Sequence, residues 1–142
     1  MINLPNYLIA EQIYESASSV IYRATRLSDN QAVILKALQE DYPSAEKIAH
    51  YKQEYKILSH LQDIDGVVRV YEQEVLQNNI ITVFEAFDGQ TLKKLMLTPI
   101  LNKKGVDGII SFLDLAIHIC QVLGEVHAAN IIHKDLNPHN IL

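Results

Sequence analysis

A chain of 142 residues, 49% hydrophobic and 20% charged, has the length of one modest domain or a piece of a larger one, and the apolar content of a folded protein. Its net charge of −5 argues against a nucleic-acid partner, which usually meets a basic face. The single cysteine, Cys120, excludes an intramolecular disulfide and suits a reducing, cytoplasmic compartment.

Met1-Ile2-Asn3-Leu4-Pro5 has neither the basic opening nor the apolar core of a signal peptide. Residues 7–13 and 20–25 are short runs rich in β-branched and aromatic residues, separated by the polar link Glu15-Ser16-Ala17-Ser18-Ser19. Leu27-Ser28-Asp29-Asn30-Gln31 has turn composition, and residues 32–38 make a third strand of an antiparallel meander. Pro43 and Ser44 open a helix, with Ser44 as its cap and Glu46 in its first turn. Ile48, Tyr51, Tyr55 and Leu58 share one face of it.

That helix ends near residues 60–62, and Asp63-Ile64-Asp65-Gly66 is a turn. Residues 67–75 and 80–84 are two further strands around a polar Gln77-Asn78-Asn79 turn. A connector (85–90), a small helix (91–97) and a loop (99–108) carrying Lys103-Lys104-Gly105 follow. Residues 111–129 form a long helix. Phe112, Leu115, Ala116, Ile119, Leu123 and Val126 line one face, and Leu113, Ile117, Cys120 and Val122 widen the apolar surface almost all round.

Such a helix calls for neighbours on several sides, more than the chain supplies, so the domain is expected to continue past Leu142. No uninterrupted run of about 18 apolar residues occurs, and Asp114, His118, Glu125 and His127 break the most apolar segment, so no membrane span is expected. Strands followed by helices indicate an α+β arrangement of two sub-domains around a cleft.

The last ten residues, His133-Lys134-Asp135-Leu136-Asn137-Pro138-His139-Asn140-Ile141-Leu142, carry the chemistry. They read as a phosphoryl-transfer loop, H-[RK]-D-L-x-P-x-N-I-L, whose Asp orients a nucleophilic hydroxyl and whose Asn holds magnesium. Lys36 closes Val33-Ile34-Leu35-Lys36 on the third strand, where a cation is held more rigidly than on a loop. Glu54 stands 18 residues later, one turn from Tyr51 and from Leu58, so it flanks the buried face. A carboxylate there needs a partner, because unpaired buried charge is costly.

This order of elements and motifs resembles the protein kinase family, of serine/threonine type, through essentially the whole chain. Ile13-Tyr14-Glu15-Ser16, Gln53-Glu54-Tyr55 and the stretch from His127 to Asp135 look closest to the N-terminal kinase domain of cyanobacterial proteins that combine a serine/threonine kinase, an ATPase module and a sensor histidine kinase. The resemblance implies a five-stranded antiparallel small lobe with one helix (about 1–85), a hinge (about 85–90) and the first helices of a helical large lobe (about 91–142), cut off after the catalytic loop.

It implies ATP and Mg2+ as cofactors and a protein substrate carrying Ser or Thr, with further sensor or histidine kinase domains as possible neighbours in a longer chain, and neither nucleic acid nor membrane as partner. Lys36 and Glu54 would form the ion pair that sets the lysine against the phosphates, Asp135 would be the base and Asn140 a metal ligand. The Glu85 carbonyl and Phe87 amide would meet adenine, with Ile34 above the ring and Phe84 behind it.

The family pattern is not followed everywhere. Tyr14, Ser16 and Ser19 fall at the three positions of the glycine-rich loop. Ser16 and Ser19 could still donate hydrogen bonds to phosphate, but Tyr14 cannot mimic glycine. Ile34 replaces the usual alanine, Lys134 the usual arginine, and Asn137 a lysine that in many relatives contacts the transferred phosphate. No D-F-G motif is present, and G-x-x-x-x-G-K-[ST] is absent too.

Two other readings compete: a pseudokinase or docking module, favoured by the missing glycines, and a small-molecule phosphotransferase of the aminoglycoside kinase type, which shares a His-x-Asp loop. The six histidines show no metal spacing with Cys120. Without a second metal-binding Asp, the 142-residue chain alone is expected to transfer phosphate negligibly. An ATP and magnesium turnover assay checks this, and kinase-like rates would contradict it.

Overall fold

The computed structural model describes residues 4–16, 18–38, 43–76, 79–98 and 105–142. Met1 to Asn3, Ala17, Gln77-Asn78 and the greater part of the expected 99–108 loop, Lys103 and Lys104 included, lie outside them. The elements run β1 (Tyr7–Glu15), β2 (Ser19–Arg26), β3 (Gln31–Leu38), α1 (Ala45–His60), β4 (Val70–Leu76), β5 (Asn79–Glu85), α2 (Leu92–Leu95) and α3 (Val106–Ala128). They fall into two compact units, Met1–Asp63 with Val67–Ala86, and Ile64–Gly66 with Phe87–Leu142.

In the first unit the five strands form one antiparallel sheet in the order β1-β2-β3-β5-β4. Alternation along β3 decides what each face carries. Val33, Leu35 and Ala37 are fully buried in a cluster with Val20, Ala24, Ile81 and Val83. Ile34 and Lys36 point to the opposite face and are half-buried. On that side Leu38 joins Ile80 of β5 and Tyr51 of α1 in a second cluster, flanked by Ile48. The helix therefore packs on the face that carries Lys36.

α1 starts as the sequence indicates: the Ser44 hydroxyl accepts a hydrogen bond from Lys47 N at 3.3 Å. Its C-terminus is stapled by Gln62, whose amide donates to the Leu58 and Val68 carbonyls and accepts from Val70 N. The same staple explains why the fourth strand begins at Val70 and not at 67, since Gln62 takes the backbone groups a ladder would need. Between β2 and β3, Asn30 adopts a left-handed conformation (φ 59°) beside Asp29, whose carboxylate accepts from Gln31 N and from Arg26.

In the second unit α3 begins at Val106, five residues before the expected start at Ser111. Gly108, the last residue of the expected loop, sits in the first turn, after Gly105 has turned the chain at φ 82°. The far end closes in a Schellman motif: Asn130 is left-handed (φ 60°), Ile131 N donates to the Val126 carbonyl and Asn130 N to the His127 carbonyl. Gly66 lies against α3, where an added Cβ would come within 2.7 Å of Val122 Cγ2.

Neighbours cover only part of the apolar surface of α3, as the shortage read from the sequence requires. Val126 is buried and Leu115, Ala116, Ile119 and Leu123 are half-buried, but Phe112 is 64% exposed, and Val106, Ile109, Ile110, Leu113 and Ile117 are exposed too. By length and composition alone this helix could cross a membrane.

Leu35 makes the first unit's dependence on its core measurable. Leu35→Ala removes a fully buried side chain from the middle of the sheet and is expected to cost about 2–5 kcal/mol. Urea unfolding should show a lower midpoint with an unchanged slope.

Candidate active site

Each unit holds one cluster of the residues singled out from sequence. In the first, Lys36 Nζ lies 2.6 Å from Glu54 Oε1, joining the third strand to the helix. The two side chains are 25% and 33% exposed. Sheet register fixes the lysine, which stands opposite Ile21 on β2 and Thr82 on β5. Helix phase fixes the glutamate, one turn beyond buried Tyr51. The ammonium also sits 5.4 Å from the centre of the Tyr51 ring.

The turn between β1 and β2 behaves differently from what its sequence suggests. The Ser16 hydroxyl accepts from Ser19 N at 3.1 Å and from Ser18 N at 3.4 Å, and it also lies 3.1 Å from both Ser19 oxygens. Ser16 N in turn donates to the Ser19 carbonyl. Ser16 and Ser19 are thus brought together, but as partners of each other. The Ser18 and Ser19 amides, which could otherwise face a phosphate, are engaged by the Ser16 side chain. Tyr14, on β1 opposite Ile21, is exposed.

Ile34 pairs with Arg23 and Phe84 across the sheet, and Phe84 is buried. Glu85 ends β5 with its carboxylate accepting from Arg69 N at 2.9 Å, so its side chain is committed to the backbone just before β4. Phe87 opens the second unit, half-buried, with its ring where a Cβ on Gly89 would have to go, at 2.7 Å.

In the second unit the terminal loop is built around Asp135. Asn140 Nδ2 donates to the Asp135 carbonyl and to Oδ2, both at 2.9 Å. Asn137 Nδ2 donates to Oδ1 at 3.0 Å and to the carbonyl at 3.2 Å. The amide orientations follow from chemistry. A carbonyl can only accept, and Asn137 Oδ1 accepts from His139 N at 2.9 Å, so each Nδ2 faces Asp135. Both carboxylate oxygens are therefore held, while Asn140 Oδ1 has no hydrogen bond among the described residues.

His133 Nδ1 accepts from Asp135 N at 3.3 Å, which leaves any ring proton on Nε2 when the ring is neutral. Lys134 takes a left-handed conformation (φ 62°), uncommon for a residue with a side chain. The loop is pinned from outside by α2: Leu92 N donates to the Ile141 carbonyl and Lys93 N to the Pro138 carbonyl, both at 2.8 Å. These are first-turn amides with no intrahelical partner, so the short helix gains acceptors and the loop gains an anchor.

Two of these features escaped the sequence. Asn137 reads as a lost positive charge and proves to be a second clamp on Asp135. Tyr51 reads as an apolar contact and proves to touch the Lys36 ammonium. The signal for Asn137 was local: Asn two residues before a backbone N–H is the pattern of an Asx turn.

Comparison with known proteins agrees with this architecture. The model of the protein kinase domain matches residues 7–142. A probable serine/threonine-protein kinase of Clostridium acetobutylicum is 28% identical over 137 residues, 96% of this chain and 20% of that protein. A second, of Clostridium perfringens, is 27% identical over 96% of this chain and 19% of its own length. A serine/threonine-protein kinase of Myxococcus xanthus is 27% identical over 96% of this chain and 24% of its length. The chain thus spans about a fifth to a quarter of these curated relatives. With the family model matching from the first strand to the last residue, this chain belongs to the protein kinase domain family.

Proposed function

We propose that the chain is the nucleotide-binding and hydroxyl-orienting part of a serine/threonine protein kinase, its small lobe, hinge and first large-lobe helices ending with the catalytic loop. The observation that carries this reading is the 2.6 Å contact between Lys36 Nζ and Glu54 Oε1. Two charged side chains from different elements meet beside the apolar cluster of Leu38, Ile80 and Tyr51, and in a kinase small lobe such a pair holds a cation still for phosphate oxygens.

In this reading Lys36 binds the nucleotide phosphates, with Glu54 fixing its direction. The Glu85 carbonyl and Phe87 amide take the adenine edge, with Ile34 over the ring. Asp135 accepts the proton of a Ser or Thr hydroxyl as its oxygen bonds to the γ-phosphorus and the bond to the β-phosphate breaks. Fixing both oxygens of Asp135 by amides holds the base in place without adding charge. Asn140 could contribute one ligand to a magnesium ion, since its Oδ1 is a hard oxygen without a hydrogen bond among the described residues. When bound, the ion would neutralise charge on the phosphates.

Support for a protein hydroxyl as acceptor comes from the relatives, which are named serine/threonine-protein kinases. We read α3 as a helix of the kinase domain rather than a membrane span, because the family match runs through it. Cytoplasmic location and additional sensor or histidine kinase domains belong to the same proposal. One observation favours the docking alternative: the Ser16 hydroxyl occupies turn amides that phosphate would otherwise claim.

Two outcomes are expected for the full protein that carries this chain. Magnesium ATP should raise its melting temperature, and Lys36→Met should remove both that shift and phosphoryl transfer to a Ser/Thr peptide. No shift in the unsubstituted protein would favour docking. Asn137→Asp keeps the acceptor for His139 N but sets a carboxylate against Asp135 Oδ1, so kcat should fall by about tenfold or more with KM for ATP little changed. Steady-state kinetics decide it, and an Asn137→Asp enzyme with unaltered kcat would remove Asn137 from the site.

A further inference from the structure

We infer that Tyr51 is a positioning residue that ties the turn between β1 and β2 to the Lys36 ammonium. The inference rests on the reading of Lys36 as the phosphate-binding cation and adds a part to it.

Tyr51 is 7% exposed and makes contacts in three directions. Its hydroxyl points at the Ser18 carbonyl in the β1–β2 turn at 3.4 Å, a weak contact longer than an ordinary hydroxyl hydrogen bond. Its ring lies 5.4 Å from Lys36 Nζ, within the range in which a ring's quadrupole attracts a cation. Its backbone carbonyl accepts from Gln73 Nε2 at 3.1 Å, and the same amide donates to Thr82 Oγ1 at 3.0 Å. Thr82 is the cross-strand neighbour of Lys36. The contacts therefore close a circuit: Lys36, Thr82, Gln73, Tyr51 and back to Lys36.

Burial raises the Tyr51 phenol above its ordinary value, against a hydrogen bond with the Ser19 side chain and with the Glu54 charge acting in the same direction as burial. It stays protonated across the physiological range and remains a donor to Ser18. The carbonyl it meets belongs to a turn whose Ser18 and Ser19 amides donate to the Ser16 hydroxyl, so a shift of these residues on phosphate arrival is felt at Tyr51 and hence at the ammonium. Where the family has glycines, this chain has hydroxyls joined to each other and a contact to α1.

Kinetics of two variants in the full protein separate the tether from the ring. Tyr51→Phe keeps the ring over the ammonium and loses the contact to Ser18, so it should raise KM for ATP by about threefold, more than it lowers kcat. Tyr51→Leu loses both contacts, and kcat should fall by about a further tenfold. If Tyr51→Leu does not fold, 4-fluorophenylalanine at position 51 weakens the ring's field at nearly constant shape, and kcat below that of Tyr51→Phe supports the inference. A KM for Tyr51→Phe equal to that of the unsubstituted enzyme, or equal kcat values for the Phe, Leu and fluorinated variants, overturns it. Lys36→Met is the control. If that variant still transfers phosphate, the reading of Lys36 fails and this inference with it. If it is inactive while the position-51 series is flat, only the inference fails.

Discussion

The ion pair between Lys36 and Glu54 is the constraint on which the first unit turns, and its value is positional. Both side chains are partly exposed, and pairs of that kind contribute little net stability, because attraction is offset by desolvation and lost side-chain freedom. The stability that keeps the atoms 2.6 Å apart comes from elsewhere: the fully buried Val33, Leu35 and Ala37 on one face of β3, and the cluster of Leu38, Ile80 and Tyr51 on the other. A slip of one residue in β3 would carry Lys36 into the apolar cluster and Leu35 out of it, so the core enforces the register that puts the ammonium under α1. Packing supplies the energy and the charged pair supplies the direction.

The loop around Asp135 is held by hydrogen bonds instead. It is exposed and has no apolar core of its own, so its shape is defined by directional contacts: two asparagine amides on one carboxylate, a Schellman turn that feeds the chain out of α3, and α2 amides on the Pro138 and Ile141 carbonyls. A left-handed Lys134 is tolerated because contacts on both sides over-determine the backbone.

Most of the fold was legible in the sequence, because the signals were of the kind periodicity and capping provide. Five strands, the Ser44 cap and the shared face of Ile48 and Tyr51 follow from alternation, capping and helix phase; the cost of an unpaired charge asks for a partner at Glu54, and the family resemblance named Lys36. The misreadings cluster where side chains compete with the backbone. Gln62 displaced the start of β4 by taking strand hydrogen bonds, Gly108 was absorbed into a first helical turn, and the Ser16 hydroxyl turned inward to the amides of its own turn. None of these choices leaves a periodic trace. The apolar circumference of α3 was legible as well, together with its shortage of neighbours: within its unit the described residues bury only Val126 fully, and a helix apolar on every side cannot be satisfied by one packed face.

The departures from the family pattern share one physical character. Where glycines would leave backbone amides open, Ser16 closes them, and where a lysine would bring charge beside the base, Asn137 brings a neutral donor locked by His139 N. In each case a group that could reach toward a phosphate is replaced by one that satisfies the protein's own polar atoms. Preformed hydrogen bonds reduce the ordering that ligand binding must impose, but any of them that phosphate displaces must be repaid by the new contact. Under the reading proposed for Lys36, such a turn gains less when phosphate arrives, and the contacts that aim the ammonium carry correspondingly more of the stabilisation.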